Sequence, residues 1–236
     1  MAIFKRMFVL GVVFVMAAAV ATAQTAPGRA LTVEESYLLE SIEAMIIREQ
    51  SRSPSRDMKM VALEYIGDAI ERGNRGPEIL STLEFLALEG VRIQSRESGR
   101  LINNFPDVRV RAATRLGQMG TAEARDVLIS MVLADNEPMV IAEAVRSLGV
   151  IGLNENDVTA SAISWAVARF DIINPDNLLA LSALEAYERL AVASGGFISP
   201  VAISSIIRIA DGNYVRPVRD RARALLSELR VGAAFR

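Results

Sequence analysis

The chain has 236 residues and a formal net charge of −2, from 26 basic and 28 acidic side chains, and it contains neither cysteine nor histidine. The mild acidity argues against a general nucleic-acid binder, which needs a basic excess to neutralise phosphates. Disulfides, zinc sites built on Cys or His, and nucleophile pairs with a histidine base are all excluded. We therefore expect no cofactor, no metal site and no catalytic residue.

The first 23 residues have the three parts of a secretory signal peptide. Lys5 and Arg6 precede an uncharged apolar run, Met7 to Val20, and Ala21-Thr22-Ala23 follows as a cleavage site. The run is short for a membrane span, which needs about 20 residues. This pattern predicts cleavage after Ala23 and export, to a periplasm in the first place, with secretion or an uncleaved anchor as alternatives. No later segment is apolar enough to predict an integral membrane span after cleavage.

Cleavage would leave residues 24–31 as a flexible mature N-terminus, followed by one domain over residues 32–236. Apolar periodicity predicts ten helices in this domain. Prolines precede most of the periodic runs and glycines follow them, as is usual for helix starts and ends. Thr32 and Glu35 form a capping box for the first helix. In chain order the predicted helices are 33–50, 55–72, 77–89, 107–119, 121–134, 138–151, 156–170, 176–193, 199–210 and 216–230.

Five of these helices share one pattern: an apolar residue, an alanine four residues later and an apolar residue four residues after that. This spacing lines one face of a helix. The shared alanines are Ala62, Ala112, Ala144, Ala183 and Ala222. The pattern predicts four helix pairs, 55–89, 107–134, 138–170 and 176–210, with 33–50 and 216–230 as end pieces. Because one pair cannot bury its own apolar stripe, the pairs must stack. We predict an all-α solenoid of about four helix pairs with a capping helix at each end.

Two helices show their expected buried stripes clearly. In the first helix the stripe is Leu38, Ile42, Met45 and Ile46, and in helix 156–170 it is Ile163, Ala166, Val167 and Phe170. Leu116, in the best copy of the pattern, is also predicted to be buried.

The best copies resemble the HEAT-like repeats first recognised in phycobilisome lyases. That family has a first helix of the type Val-Arg-x-x-Ala-x-x-x-Leu-Gly-x-Ile-Gly. Val108 to Gly120 follows this pattern nearly throughout, and Val140 to Gly152 follows it with Ile141 in place of the arginine. The resemblance implies a curved scaffold that binds proteins. It does not imply bilin-lyase activity, because no residue here matches a chromophore site and a fold does not fix a function.

An insertion of 14 residues, Val91 to Asn104, lengthens the first repeat and carries Arg92, Arg96 and Arg100 against one acid, Glu97. Long ordered loops are often functional. The segment is therefore a candidate binding site for an acidic partner or a phosphate-bearing surface. The alternatives are a solvated insertion or an extension of the preceding helix.

Trp165, the only tryptophan, lies beside the predicted stripe of helix 156–170. It is a candidate partner-binding residue, because tryptophan is enriched at binding hot spots. Packing between adjacent repeats is the alternative.

The arginines of the repeat helices form either a basic strip or a set of salt bridges between repeats, with Asp107 and Asp220 as nearby partners. We favour the salt bridges. The arginines are Arg109, Arg111, Arg115, Arg146, Arg219, Arg221 and Arg223. Residues 154–157 are rich in oxygen ligands but lack the EF-hand pattern, so we interpret them as a turn and helix cap.

Three functions remain open. The first is a non-enzymatic exported scaffold or adaptor that binds a protein partner through the solenoid surface. The second is an envelope-docking factor that binds anionic membrane or cell-wall surfaces through residues 91–104. The third is a hydrolase that uses two carboxylates, for which the sequence shows no motif. The oligomeric state is not predicted.

Overall fold

The computed structural model describes residues 32–171, 175–196 and 199–234. The predicted signal peptide and the flexible segment 24–31 lie outside the described residues. The architecture given below is that of the compact unit that begins at Glu43. The helices are α1 Val33–Arg52, α2 Arg56–Glu71, α3 Pro77–Leu88, α4 Pro106–Met119, α5 Ala122–Ala134, α6 Pro138–Ile151, α7 Val158–Phe170, α8 Asn177–Ala193, α9 Pro200–Asp211 and α10 Arg216–Ala234, and the strands are β1 Arg96–Glu97 and β2 Arg100–Leu101.

The helices from α2 onward form two layers. The first helices of the pairs, α2, α4, α6 and α8, stack on one another in chain order, and α10 continues this layer. The second helices, α3, α5, α7 and α9, form the other layer. The prediction of an all-α solenoid of four helix pairs is confirmed. The buried cluster runs continuously from Ile47 to Leu225, so the pairs share one core.

The first helices approach closely at a glycine that follows the pattern leucine. A Cβ atom placed on Gly117 would lie 2.9 Å from the Cβ of Ser147, and one on Gly149 would lie 2.6 Å from the Cα of Ala186. Real Cβ atoms do not tolerate such contacts, so the stacking distance requires glycine at these positions. The Leu-Gly pair in the sequence is therefore a packing feature of the repeat.

The same position in α8 is Glu188, and here an ion pair replaces the close contact. Arg221 of α10 donates a hydrogen bond of 2.6 Å to Glu188. This bond raises the pKa of Arg221 above its ordinary value. The helix α10 is thus joined to α8 by an ion pair at this position, whereas Gly117 and Gly149 are in close contact with the next first helix.

The predicted stripe of α7 is confirmed. Ile163, Ala166 and Val167 are fully buried, and Phe170 is partly buried against the core. Leu116 of α4 is completely inaccessible, as expected.

The predicted stripe of α1 is wrong. Leu38, Ile42 and Met45 are exposed, Ile46 is half-buried, and the residue that joins the core is Ile47. A three-residue linker joins α1 to α2, and one of the same length joins α5 to α6. Counted back from that linker, Met45 and Ile46 correspond to Val127 and Leu128 of α5, which are buried because α5 packs on α4. In the described part of the chain no such helix precedes α1, so its apolar face is uncovered.

The insertion at 91–104 is neither a loop nor a helical extension. It folds as a β-hairpin in which Arg96 is opposite Leu101 and Glu97 is opposite Arg100. The two-residue turn has positive φ at both positions, 50° at Ser98 and 81° at Gly99. This is the backbone of a type I′ turn, whose twist matches that of the strands, and glycine adopts it at little cost.

Candidate functional site

The side chain of Asn103 ties the hairpin together at its base. Its Oδ1 accepts a hydrogen bond from the backbone N–H of Ser95 at 2.9 Å. Its Nδ2 donates to the carbonyl oxygen of Ile93 at 2.8 Å and to the Glu89 carboxylate at 3.4 Å. A buried amide with all these bonds made holds both strands in one register.

Glu89, in turn, forms a buried ion pair with Lys59 of α2. The Lys59 ammonium, 1% exposed, lies 2.7 Å from Glu89 Oε2, and it donates to the Ser51 carbonyl oxygen at 2.9 Å. It also lies 5.3 Å from the centre of the Phe85 ring, a cation–π contact. Buried charges are tolerated only when they are paired in this way. The hairpin base is therefore anchored to α2.

The other side of the base is fixed by a close backbone approach. Gly90 has φ +79°, and a Cβ there would lie 2.6 Å from the carbonyl oxygen of Asn103 and 2.8 Å from the Cα of Asn104. Arg109 of α4 donates to the Asn104 side-chain oxygen at 2.7 Å and to the Glu89 carbonyl oxygen at 3.4 Å. The two ends of the insertion are thus held against each other and against α4.

The three candidate arginines of the hairpin are exposed. Arg92 and Arg100 make no ion pair or side-chain hydrogen bond to any described residue. Arg96 bonds only within the hairpin, to the carbonyl oxygen of Gly99 and the side chain of Gln94, both at 3.1 Å. The guanidinium groups are therefore available to an external anion.

Two isoleucines accompany these arginines. Ile93 and Ile102, at the base of the hairpin, are both exposed to nearly half their area. The hairpin therefore combines a fixed backbone, free cations and apolar side chains. This combination suits recognition of a surface that is acidic and partly apolar.

Trp165 is 43% exposed on α7. Its ring is covered by the guanidinium of Arg169, 5.1 Å from the ring centre. Arg169 also donates to the Asp135 carbonyl oxygen at 2.9 Å and to the Asn136 side chain. The indole is held in one orientation while exposed, which is consistent with a binding role. Among the described residues, no hydrogen bond, ion pair or ring contact joins Trp165 to the hairpin.

The repeat arginines serve mainly as bridges between repeats, as we favoured. Arg109 forms two hydrogen bonds to Asp135, at 2.7 and 3.3 Å, and both side chains are 2% exposed. Asp135 Oδ1 also accepts hydrogen bonds from the backbone N–H groups of Asn136 at 2.8 Å and Glu137 at 3.0 Å. The Asp135 carboxylate therefore organises the turn that leads into α6 and fixes α4 to it.

Two further arginines of α4, Arg111 and Arg115, both bond to Glu64 of α2, at 2.6 and 3.2 Å. Asp107 was wrongly expected to pair with the arginines of its own pattern; it pairs with Arg56 of α2. Asp220 does lie near Arg223, at 3.6 Å. A continuous basic strip along the repeats is therefore not observed among the described residues, because most of these charges are neutralised.

Residues 154–157 form a short 3₁₀ turn and not a cation site. Asn154 Oδ1 accepts the backbone N–H of Ala160 at 2.9 Å, which caps α7, and Glu155 pairs with Arg125. An open cavity of about 210 Å³ lies beside this turn. Within the described ranges, no group of three or more potential metal-ligating side chains is found. In the same ranges, no helix has the length and apolar character of a membrane span.

The lysine–glutamate anchor could not be assigned from sequence, although a signal for it was present. Lys59 is the only lysine after Lys5 in a chain whose other cations are arginines. An ammonium group is a compact point charge with three donors, whereas a guanidinium is planar. A single lysine within an apolar-periodic helix was therefore the available signal, but it does not identify the buried partner.

Comparison with known proteins agrees with this architecture. A search of curated proteins found no match to the chain. Residues 100–171 match the family model of HEAT repeats. The matched range begins at β2 and ends just after α7, and it includes both of the best copies of the repeat pattern. The match and the two-layer packing together support a HEAT-like repeat protein.

Proposed function

We propose that this protein is an exported, non-enzymatic scaffold or adaptor that binds a protein partner through the solenoid surface, with the hairpin as the principal contact. HEAT repeats commonly mediate protein–protein interaction, and the resemblance to the repeats of phycobilisome lyases supports the same role. The observation that carries the proposal is the contrast within the hairpin. Its base is fixed by buried polar bonds, whereas Arg92 and Arg100 at its surface make no ion pair or side-chain hydrogen bond to a described residue.

The chemistry of the hairpin defines the partner. Guanidinium groups bind carboxylates in a planar, two-bond geometry, so the partner surface should carry Asp or Glu side chains. Ile93 and Ile102 require an apolar area beside these acids. Because the backbone of the hairpin is already ordered, binding loses little conformational entropy there.

Export is the second part of the proposal. It is supported by the basic start, the apolar run and the Ala-x-Ala site within the first 23 residues, and a periplasm is the proposed compartment. The mass of the protein recovered from its native host tests this directly. A chain that begins at Gln24 is expected. An intact Met1 would support the uncleaved anchor instead, and a cytoplasmic location would refute export.

Envelope docking is the alternative, because exposed arginines also bind anionic lipids or cell-wall polymers. The two functions differ in what they require. Attraction to an anionic surface depends on charge and is screened by salt. A protein contact also needs Ile93 and Ile102, since apolar burial supplies most of the affinity at an interface core.

The experiment is photo-crosslinking in the native host, with the crosslinking residue placed at Glu97 on β1. The test variant changes Arg92, Arg96 and Arg100 to Ala. The matched control removes three other exposed arginines that form no ion pair among the described residues, Arg52, Arg75 and Arg189.

We expect one reproducible protein adduct, which is lost in the hairpin variant and kept in the control. It should also be lost when Ile93 and Ile102 are changed to Ser. Adducts with lipid or wall material alone, unaffected by the Ser changes and abolished by salt, would refute the protein scaffold and support envelope docking.

A further inference from the structure

Three positions of each first helix lie on one face, four residues before the shared alanine, one before it and three after it. In α4 and α6, residues at the last two positions contact the preceding first helix. The last position is Arg115, Ser147 and Ala186 in α4, α6 and α8, where it lies over Gly67, Gly117 and Gly149. In all three helices the first and last positions are buried.

In α2 the same three positions are Met58, Val61 and Tyr65, and all are exposed, by 44%, 42% and 37%. We call these residues the α2 face. In the described residues no first helix precedes α2, so a surface built for helix stacking is left uncovered. An apolar repeat end is unusual, because terminal repeats normally carry a polar outer face.

The helix α1 is the second member of a pair whose first member is missing from the described residues. Its end lies beside the second-helix layer, because Arg48 is 3.8 Å from Glu78 of α3. Its Glu43 pairs with Arg72, at the end of α2. At the other end of the array, α10 is a first helix that stacks on α8, and it is the last helix of the described chain. Within the described residues, the array thus starts with a second helix, α1, and ends with a first helix, α10, neither of which has its pair partner there.

We propose that copies of this protein associate head to tail, with α10 of one copy docking on the α2 face of the next. The helix α1 of the second copy would then take the place of the second helix in a pair with α10. The two half-pairs complete one repeat, and the solenoid continues across the junction with the same helix order as within the chain.

The side chains of α10 fit this arrangement. The position five residues after the shared alanine is glycine in α2, α4 and α6, and in α10 it is Ser227, which is exposed. The position two after the alanine is Ala224. A small residue at each point leaves room for Tyr65 and Val61 of the next copy, as Gly67 leaves room for Arg115. Two α2 faces placed against each other would instead oppose bulky residues with bulky residues.

When α10 and the α2 face are aligned as neighbouring first helices are within the chain, oppositely charged residues lie near each other. Within the chain, Asp107 of α4 pairs with Arg56 of α2. Asp57 of α2 occupies the position that Asp107 has in α4, and Arg216 of α10 occupies the position that Arg56 has in α2. At the other end of the helices, Asp68 of α2 would face Arg230 of α10. Both are exposed and form no ion pair among the described residues. The junction would therefore gain opposite charges at both ends.

Introduced cysteines test the junction, because the natural chain has none. Two chains are mixed under mild oxidation: one carries Tyr65→Cys and the other Ser227→Cys. In the equivalent pairs inside the chain, a Cβ on Gly117 or Gly149 comes 2.9 Å from the Cβ of Ser147 or Ala186, so the positions are close enough for a disulfide. A small residue is tolerated at position 65, since two of its three equivalents, Ser147 and Ala186, are small. Ser161→Cys, exposed on α7, is the matched control.

We expect a disulfide between Cys at 65 and Cys at 227 to form faster than any disulfide with the control chain. The protein used begins at Gln24, a choice that rests on the proposed export and is checked by mass. A dominant 65–65 disulfide would show that the α2 face pairs with itself, and rates equal to the control would show no self-association. Either result overturns the proposal while leaving the hairpin function untouched.

A charge exchange provides the second measurement, in case the cysteine variants fold poorly. Asp68→Arg and Arg230→Asp should each weaken self-association about two- to fivefold in sedimentation velocity, the effect of one exposed ion pair. The double variant should restore it. Equal weakening in the single and double variants would contradict the proposed register.

Discussion

The Arg109–Asp135 ion pair offers the most direct test of how the repeats are joined. Changing Arg109 to Met keeps the apolar stem and removes the guanidinium, so the Asp135 carboxylate, 2% exposed, loses both of its side-chain bonds. Removing one partner of a buried ion pair usually costs about 3–5 kcal/mol. Because the N–H groups of Asn136 and Glu137 still bond to Asp135, we expect the lower end, about 3 kcal/mol.

The free energy of unfolding is measured by urea titration, and the melting temperature should fall by about 6–12 °C for a chain of this size. Arg75→Ala, an exposed position without an ion pair among the described residues, is the control. Adding Asp135→Asn to Arg109→Met should recover part of the loss, because no unpaired charge then remains buried. A loss below about 1 kcal/mol for Arg109→Met, or a further loss in the double variant, would refute the buried-pair reasoning.

Two core predictions use the same unfolding assay. Leu116→Ala should lower the free energy of unfolding by about 2–5 kcal/mol, because Leu116 is fully buried, and a loss well under 1 kcal/mol would mean that the helix face is misassigned. Gly149→Ala should cost about 1–3 kcal/mol, because its Cβ would lie 2.6 Å from the Cα of Ala186 and must push α6 and α8 apart. The exposed neighbour Val150→Ala is the control for Gly149, and equal stability of the two variants would contradict close contact between the first helices.

The repeat pattern made the fold predictable because it is local. An apolar residue, an alanine and an apolar residue spaced four positions apart define a buried helix face, whatever helices pack against it. The faces of α4 and α7 were therefore assigned correctly. The stripe of α1 failed for the opposite reason: its apolar residues lie on a valid packing face, but burial needs a neighbouring helix, and sequence periodicity does not reveal whether that neighbour exists.

The hairpin was missed because its strands are only two residues long, too short for an alternating pattern to stand out. The dipeptide Ser98-Gly99 was the available signal, since such pairs mark tight turns. The network of Lys59, Glu89 and Asn103 could not be found from sequence, because its members are separated by up to 44 positions and meet only after the helices stack. The candidate arginines were identified by charge alone, and their availability depends on contacts that only the structure gives.

The burial of Lys59 has a practical consequence for the chemistry of the whole protein. In a chain cleaved after Ala23, Lys59 is the only remaining lysine, and its amine is enclosed and ion-paired. The α-amino group at the new N-terminus is then the only other primary amine of the chain. Amine-reactive dyes, biotin reagents and surface couplings would therefore attach the folded protein at a single defined point. The same reagents would modify Lys59 only after unfolding, so a second modified site would report loss of the native state.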